Sequence, residues 1–442
     1  MAMIKLKKGY DLKLKGGIIN DAIKEAPTPA HCAIVPDDFS GIIPRMEKKE
    51  GEQVKAGEAL YHDKTEERIK VTSPVSGTVK AIVRGERRKI EQIVVECDGN
   101  DDHKKLDPSS PIDALLDSGL WAMLRQRPYD IVPSPDVTPR DIFVTCFDSA
   151  PLAPNLKLVL GDYISYLEQG VEVLSKLTTG SVYLGCRAGE ELEAKGAETV
   201  AFKGPHPAGN AGIQAGNIKP VNKGEVIWTT DVVTVARIGK LFATGTVDFN
   251  TVVAITGEQV AEPRYIATVM GAPMGMLLEG LLSDNGKPNR IISGNVLTGQ
   301  QVQLDGYLRA PYRHITVIPE FQKQDEFMGW ASLSPKKFSV YRNFPGWLLG
   351  MNRKPMNVDA RINGGERAIV MSGEYDRMLP MDIYAEFLIK AIIAFDIDKM
   401  EQLGIYEVAP EDFALCEFAD TSKLELQRIV REGLDKLRKE MV

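Results

Sequence analysis

Cysteine and histidine are scarce in this 442-residue chain, which holds five of each. Cys32, Cys97, Cys146, Cys186 and Cys416 are scattered, no two closer than 40 positions, and no CxxC pair exists. Iron–sulfur clusters draw several thiolates from one tight run, so this spacing argues against a ligated cluster. An odd, dispersed set also suits a reducing compartment, where free cysteines behave as small buried hydrophobes. His31, His62, His103, His206 and His314 lie far apart, so clustered metal donors are not expected and no metal is assigned. The basic excess of a nucleic-acid binder is missing too: 54 Lys and Arg face 61 Asp and Glu, for a net charge of -7. The longest fairly apolar uncharged run, 265–278, is too short for a membrane span and is broken by Gly271, Pro273 and Gly275. The basic N-terminus lacks an apolar region after it, so no signal peptide is expected. GxSxG, HExxH, the Walker loop and an intact GxGxxG after a strand are all missing.

What remains is an ordinary globular composition, 43% hydrophobic and 26% charged, long enough for about three domains. Residues 1–105 read as β, with short Val/Ile runs between glycine turns. The strings EGEQVKAG at 50–57 and PVSGTV at 74–79 resemble the barrel-sandwich fold of biotinyl and lipoyl carrier domains. Lys64 stands near the position a carrier would modify, but lacks flanking methionines and lies too far from Pro74, so a plain solvated turn is the favoured reading. A Pro-rich linker follows over 106–139, with one amphipathic helix expected from Ile112 to Arg127.

From 140 to 255, buried-strand runs at 141–146, 181–185 and 199–202 alternate with helical runs at 160–178 and 190–195, which predicts a Rossmann-like parallel α/β domain. Strand and turn signals return over 256–330, with a short helix at 277–282; an aromatic-rich β segment covers 331–378, and 379–442 reads as helical. At the end, Ser422 and Glu425 form a capping-box pattern, and Leu426, Val430, Leu434, Leu437 and Met441 make a stripe suited to a core or a partner helix.

Three segments are candidates for function. In FKGPHPAGNAG at 202–212, Gly204, Gly209 and Gly212 permit positive φ and close backbone approach; Lys203 and His206 would then flank an anion-binding nest, the alternative being a structural crossover loop. At 363–370, Gly364 and Gly365 mark a tight turn from which Glu366 and Arg367 could pair with a neighbouring domain, the alternative being a surface hairpin. Aromatics gather between Phe327 and Trp347, including Trp330, as interdomain core, docking face or flat-ring ligand site.

The strings FKGPHPAG at 202–209, IGKLF at 238–242, RIISGN at 290–295, FMGW at 327–330, GGERA at 364–368 and LPMD at 379–382 resemble the A-subunit family of the Na+-translocating NADH:quinone oxidoreductase across the full length. A more distant similarity runs to the C subunit of the Rnf complex and to the NADH-binding flavoprotein of complex I. The resemblance implies an accessory subunit, peripheral on the cytoplasmic side of the bacterial inner membrane, in a six-subunit complex that oxidises NADH, reduces a quinone and exports Na+. It implies a β-grasp, SLBB-like domain over 256–330, docking on a membrane subunit, and a part in quinone binding, with flavins and iron–sulfur carried by other subunits. On that reading no cofactor is tightly bound here and the isolated chain is not catalytic. The glycine loop continues NAGIQAG at 210–216 without further histidines, and only Cys416 stands where cluster-bearing relatives have a cysteine-rich run. The alternative is an independent soluble flavin-dependent NADH oxidoreductase.

Overall fold

The computed structural model describes residues 2–284, 286–320, 337, 339–350 and 354–441. Its centre is a six-stranded sheet in the order Ala2–Lys5, Ala197–Lys203, Val182–Arg187, Ile142–Thr145, Ile227–Asp231 and Arg125–Arg127. All neighbours run parallel except the last pair. Strand alternation decides what covers each face. Ile142, Val144, Val182 and Leu184 point into a core shared with the helices Leu167–Ser175 and Val232–Thr244. Phe143, Phe202 and Ile227 point to the other side, against the C-terminal helices. A sheet buried on both faces explains why its strands read as unbroken apolar runs.

The barrel-sandwich module consists of a four-stranded sheet (His31–Ile34, Ile90–Cys97, Gly77–Arg84, Gln53–Val54) and a three-stranded one (Pro44–Met46, Ala59–Asp63, Lys70–Thr72). Lys64 is exposed in the turn after Ala59–Asp63, where Asp63 Oδ1 accepts the Ile43 N–H at 2.7 Å and Oδ2 the Thr65 hydroxyl at 2.5 Å. A third, mixed sheet runs Gln300–Val302, Asn289–Ser293, His314–Pro319, Asn250–Thr256, Arg264–Val269 and Ile23–Glu25, with the Met274–Leu278 helix beside it.

Several expectations change. Residues 2–5 and 23–25, read as part of the first module, are edge strands of the central sheet and of the mixed sheet, because each pairs with a strand far along the chain. The helix expected over 112–127 stops after Pro111–Ser118: Gly119 turns left-handed (φ 79), and Arg125–Arg127 pairs with the Ile227–Asp231 strand. No helix forms over 190–195, where the Leu192 N–H lies 3.4 Å from Cys186 Sγ. The short helix sits at Met274–Leu278 rather than 277–282. Among the described residues of 331–378 there is no strand, only a single bridge from Met356 to Leu14. The capping box does not form either: the Ser422 hydroxyl donates to the Ala368 carbonyl at 3.0 Å, and the last helix is Leu426–Met441. Its stripe does pack inward, with Leu426, Val430, Leu434 and Leu437 fully buried, each worth about 1.5–3 kcal/mol, while Met441 stays exposed. Among the described residues, no helix is long and apolar enough to cross a membrane.

Candidate functional site

In an open parallel sheet, ligands collect beyond the strand C-termini where the strand order reverses. Here that point lies between Ile142–Thr145, whose successor strands run off to one side, and Ile227–Asp231 on the other. A cavity of about 750 Å³ opens there, lined by every module of the chain. Asp38 comes from the barrel-sandwich module and Arg125 from the linker. Phe147, Asp148, His206, Thr230 and Asp231 come from the α/β module, Arg309, Tyr312, Arg313 and His314 from the third sheet, and Glu411 and Arg431 from the C-terminal region.

The wall is densely charged and largely self-paired. Arg309 reaches Asp38 at 2.7 Å, and Arg431 reaches Asp130 at 3.4 Å. Burial nonetheless pushes the Asp38 carboxyl up, outweighing the attraction of Arg309, and pushes Asp148 up as well. Asp231 caps the Val232–Thr244 helix, accepting from the N–H groups of Val233 and Thr234 at 2.9 and 3.0 Å. Burial would raise its pKa, but Arg313 at 3.2 Å and the cap bonds hold it below the usual range. A carboxylate therefore holds helix N–H groups that a flavin or nucleotide phosphate would use, and the cavity does not fit such a phosphate at that helix.

Unspent hydrogen-bonding capacity concentrates on one side. Arg313 is 9% exposed, and its Nε and Nη2 make no well-aligned hydrogen bond among the described residues. Thr230 Oγ1, His206 Nε2 and His314 Nδ1 are buried in the same condition. His314 Nε2 lies 2.7 Å from Thr256 Oγ1 and 3.2 Å from Thr316 Oγ1. Both hydroxyls donate to backbone carbonyls, so Nε2 carries the ring proton and Nδ1 is left as an acceptor. Burial pushes the pKa values of His206 and His314 down, to about 4 and about 3, so both rings are neutral at physiological pH.

Of the residues singled out from the sequence, His206 and Gly209 line this cavity. The loop that carries them is built for packing, which corrects the nest reading. Gly204, Gly209 and Gly212 are not among the residues with positive φ. A Cβ on Gly209 would lie 2.6 Å from the Ser149 nitrogen, one on Gly204 2.7 Å from the Leu6 oxygen, and one on Gly212 2.1 Å from Arg127 Nη2. Gly209 N–H donates to Ser149 Oγ at 2.8 Å, and His206 Nδ1 lies 3.0 Å from the same oxygen. Lys203 and Gly204 are exposed and outside the cavity lining. Glu366 and Arg367 are exposed as well, in an extended segment rather than a hairpin, with the Arg367 N–H donating to the Ser422 carbonyl at 3.0 Å. Trp330 lies outside the described residues, and the described part of its aromatic segment carries a surface contact, Arg342 over the Trp347 ring.

The residues missed are those at strand ends: Asp148, Thr230, Asp231, Arg313 and His314. The switch-point rule, applied to the strands at 141–146 and 227–231, would have found the α/β members. Arg127 was hidden for another reason, being buried behind Gly212 and donating to Asp412 Oδ2 at 2.6 Å.

Comparison with known proteins follows this architecture module by module. The NqrA N-terminal barrel-sandwich hybrid domain matches residues 4–98, the NqrA second alpha/beta domain matches 109–247, and the NQRA C-terminal domain matches 252–303. The chain belongs to the NqrA family. The Na(+)-translocating NADH-quinone reductase A subunit from Neisseria meningitidis serogroup C is 36% identical over 99% of this chain and 100% of its own length. Its counterpart from Photorhabdus laumondii is 37% identical with the same coverage. A solved NAD+-reducing [NiFe]-hydrogenase in the H2-reduced state overlaps 48% of this chain and 47% of its own at 12% identity and a TM-score of 0.34. The domain matches stop at residue 303, short of Arg309 to His314 and of the C-terminal part of the cavity wall, whereas the full-length relatives span these segments too.

Proposed function

We propose that this chain is the accessory A subunit of a respiratory Na+-pumping NADH:quinone oxidoreductase, peripheral on the cytoplasmic face of the membrane and docked on a membrane component of a six-subunit complex. The observation that carries this reading is end-to-end similarity, 36% identity over 99% of the chain, to relatives named as that component. NADH oxidation takes place on other subunits, which supply flavin and iron–sulfur centres. Copurification of the remaining subunits with this chain after mild detergent extraction is the expected result; a chain that always elutes alone would contradict it.

Within that complex the switch-point cavity receives the headgroup of a quinone. A quinone presents two carbonyl acceptors on a flat neutral ring. Arg313 offers its unspent Nε–H, Thr230 an unspent hydroxyl, and Phe147 and Tyr312 contribute aromatic surface to the same wall. The capping carboxylate of Asp231 favours such a neutral acceptor over a phosphate-bearing cofactor. A water-soluble short-chain ubiquinone should protect the chain from thermal unfolding, and a visible bound-flavin band in the purified chain would overturn this reading of the cavity.

A further inference from the structure

Four of the five cysteines lie in two pairs on neighbouring strands, although no two are near in sequence. Cys146, just past the Ile142–Thr145 strand, lies beside Cys186 on the parallel neighbour: the Cys146 N–H donates to the Gly185 carbonyl at 2.9 Å, and the two thiols face the Val144 and Leu192 carbonyls at 3.9 Å. Cys32 and Cys97 lie on antiparallel neighbours. Cys32 is in register with Val95, and the Cys97 N–H donates to the Ala30 carbonyl at 3.0 Å, so the two cysteines are diagonal neighbours on one sheet face. Access separates the pairs: Cys146 is 6% exposed and Cys186 and Cys32 are fully buried, whereas Cys97 is partly exposed on the wall of a second cavity of about 630 Å³.

We propose that Cys97 is a modification site for small hydroperoxides, with Cys32 as its resolving thiol. The Cys97 thiolate attacks a peroxide oxygen, the O–O bond breaks, and a sulfenic acid and an alcohol (water, for hydrogen peroxide) result. Cys32 then gives up its thiol proton and its sulfur attacks Cys97 Sγ. The S–S bond forms as the S–O bond breaks, and water leaves. Two thiols lose two electrons and two protons, and one peroxide is reduced. Access divides the roles of nucleophile and resolving group, since Cys97 is partly exposed on the cavity wall and Cys32 is fully buried, and the Cys32 neighbour holds the Cys97 pKa below the ordinary thiol value. The neighbouring carboxylates of Glu96 and Asp98 oppose the effect without cancelling it.

The test uses the folded full-length chain and hydrogen peroxide. Brief exposure should remove two of the five free thiols and yield one peptide pair joined through Cys32 and Cys97, leaving Cys146 and Cys186 reduced. In Cys32→Ser, the Cys97 sulfenic acid should persist and be trapped by dimedone; in Cys97→Ser, Cys32 should stay reduced. Independently of any variant, iodoacetamide should label Cys97 at least roughly tenfold faster than Cys146. First oxidation at Cys146 and Cys186, a disulfide between two chains, or equal labelling of Cys97 and Cys146 would each overturn the proposal.

Discussion

The glycine loop at 203–210 and the Arg313–His314 segment reach the same cavity and differ in how much of their polar capacity they leave for it, the loop keeping only His206 Nε2 unpartnered among its buried side-chain atoms. The loop's polar groups are largely spent within the fold: the His206 N–H donates to Asp11 at 2.9 Å, the His206 carbonyl accepts from Tyr10, and Gly209 donates to Ser149. Arg313 and His314 keep buried nitrogens without partners. Glycine in this loop marks where backbone and side chains approach closely, whereas capacity for a ligand shows as buried polar atoms left over.

The largest effect should come from breaking the support beneath the loop. Arg127 packs against Gly212 and is neutralised chiefly by the fully buried Asp412. Asp412→Ala leaves that guanidinium buried beside Glu411 alone, at 3.4 Å, and should cost about 3–5 kcal/mol in chemical denaturation of the full chain. Were the chain to tolerate the change, the loop would not be a packed element.

The next effect is acid sensitivity. Because the His206 pKa in the fold is about 4 against an ordinary 6.5, the unfolded chain takes up the proton more readily. Its contribution is therefore complete above pH 6.5 and is lost as pH falls from 6.5 toward 4, about 3 kcal/mol across that window. Stability measured against pH should be correspondingly flatter in His206→Gln, and parallel curves would show that the ring does not sit buried and neutral.

Smaller still is the contrast between two glycines. Gly209→Ala forces a contact with the Ser149 backbone and should cost about 1–3 kcal/mol. Nothing lies within 4 Å of a Cβ on exposed Gly365, and Gly365→Ala should stay within about 0.5 kcal/mol of the parent. Melting temperatures of the two variants compare the loop with the 363–370 segment directly.

How far the sequence could be read depended on how local each signal was. The strand runs of the α/β module, the turn glycines of the barrel-sandwich and the Leu426 to Leu437 stripe are short-range patterns that carried over into the fold, whereas the helical run at 190–195 did not. The edge strands Ala2–Lys5 and Ile23–Glu25 were invisible because their partners lie some two hundred residues away. Ser422 looked like a helix cap because its competing partner, Ala368, is far upstream. The candidate site followed the same division. His206 stood out through its loop, while Arg313 and His314 became site residues only once the third sheet brought them beside Thr230 and Asp231.

That the Arg313 side of the cavity binds quinone is tested most directly by isothermal titration of short-chain ubiquinone into the full chain and into Arg313→Gln. Loss of a charged hydrogen-bonding partner should weaken binding by about tenfold or more, beyond the loss of stability expected from leaving the Asp231 carboxylate without its guanidinium. An unaltered dissociation constant in a folded Arg313→Gln chain would contradict the claim and move the binding surface elsewhere.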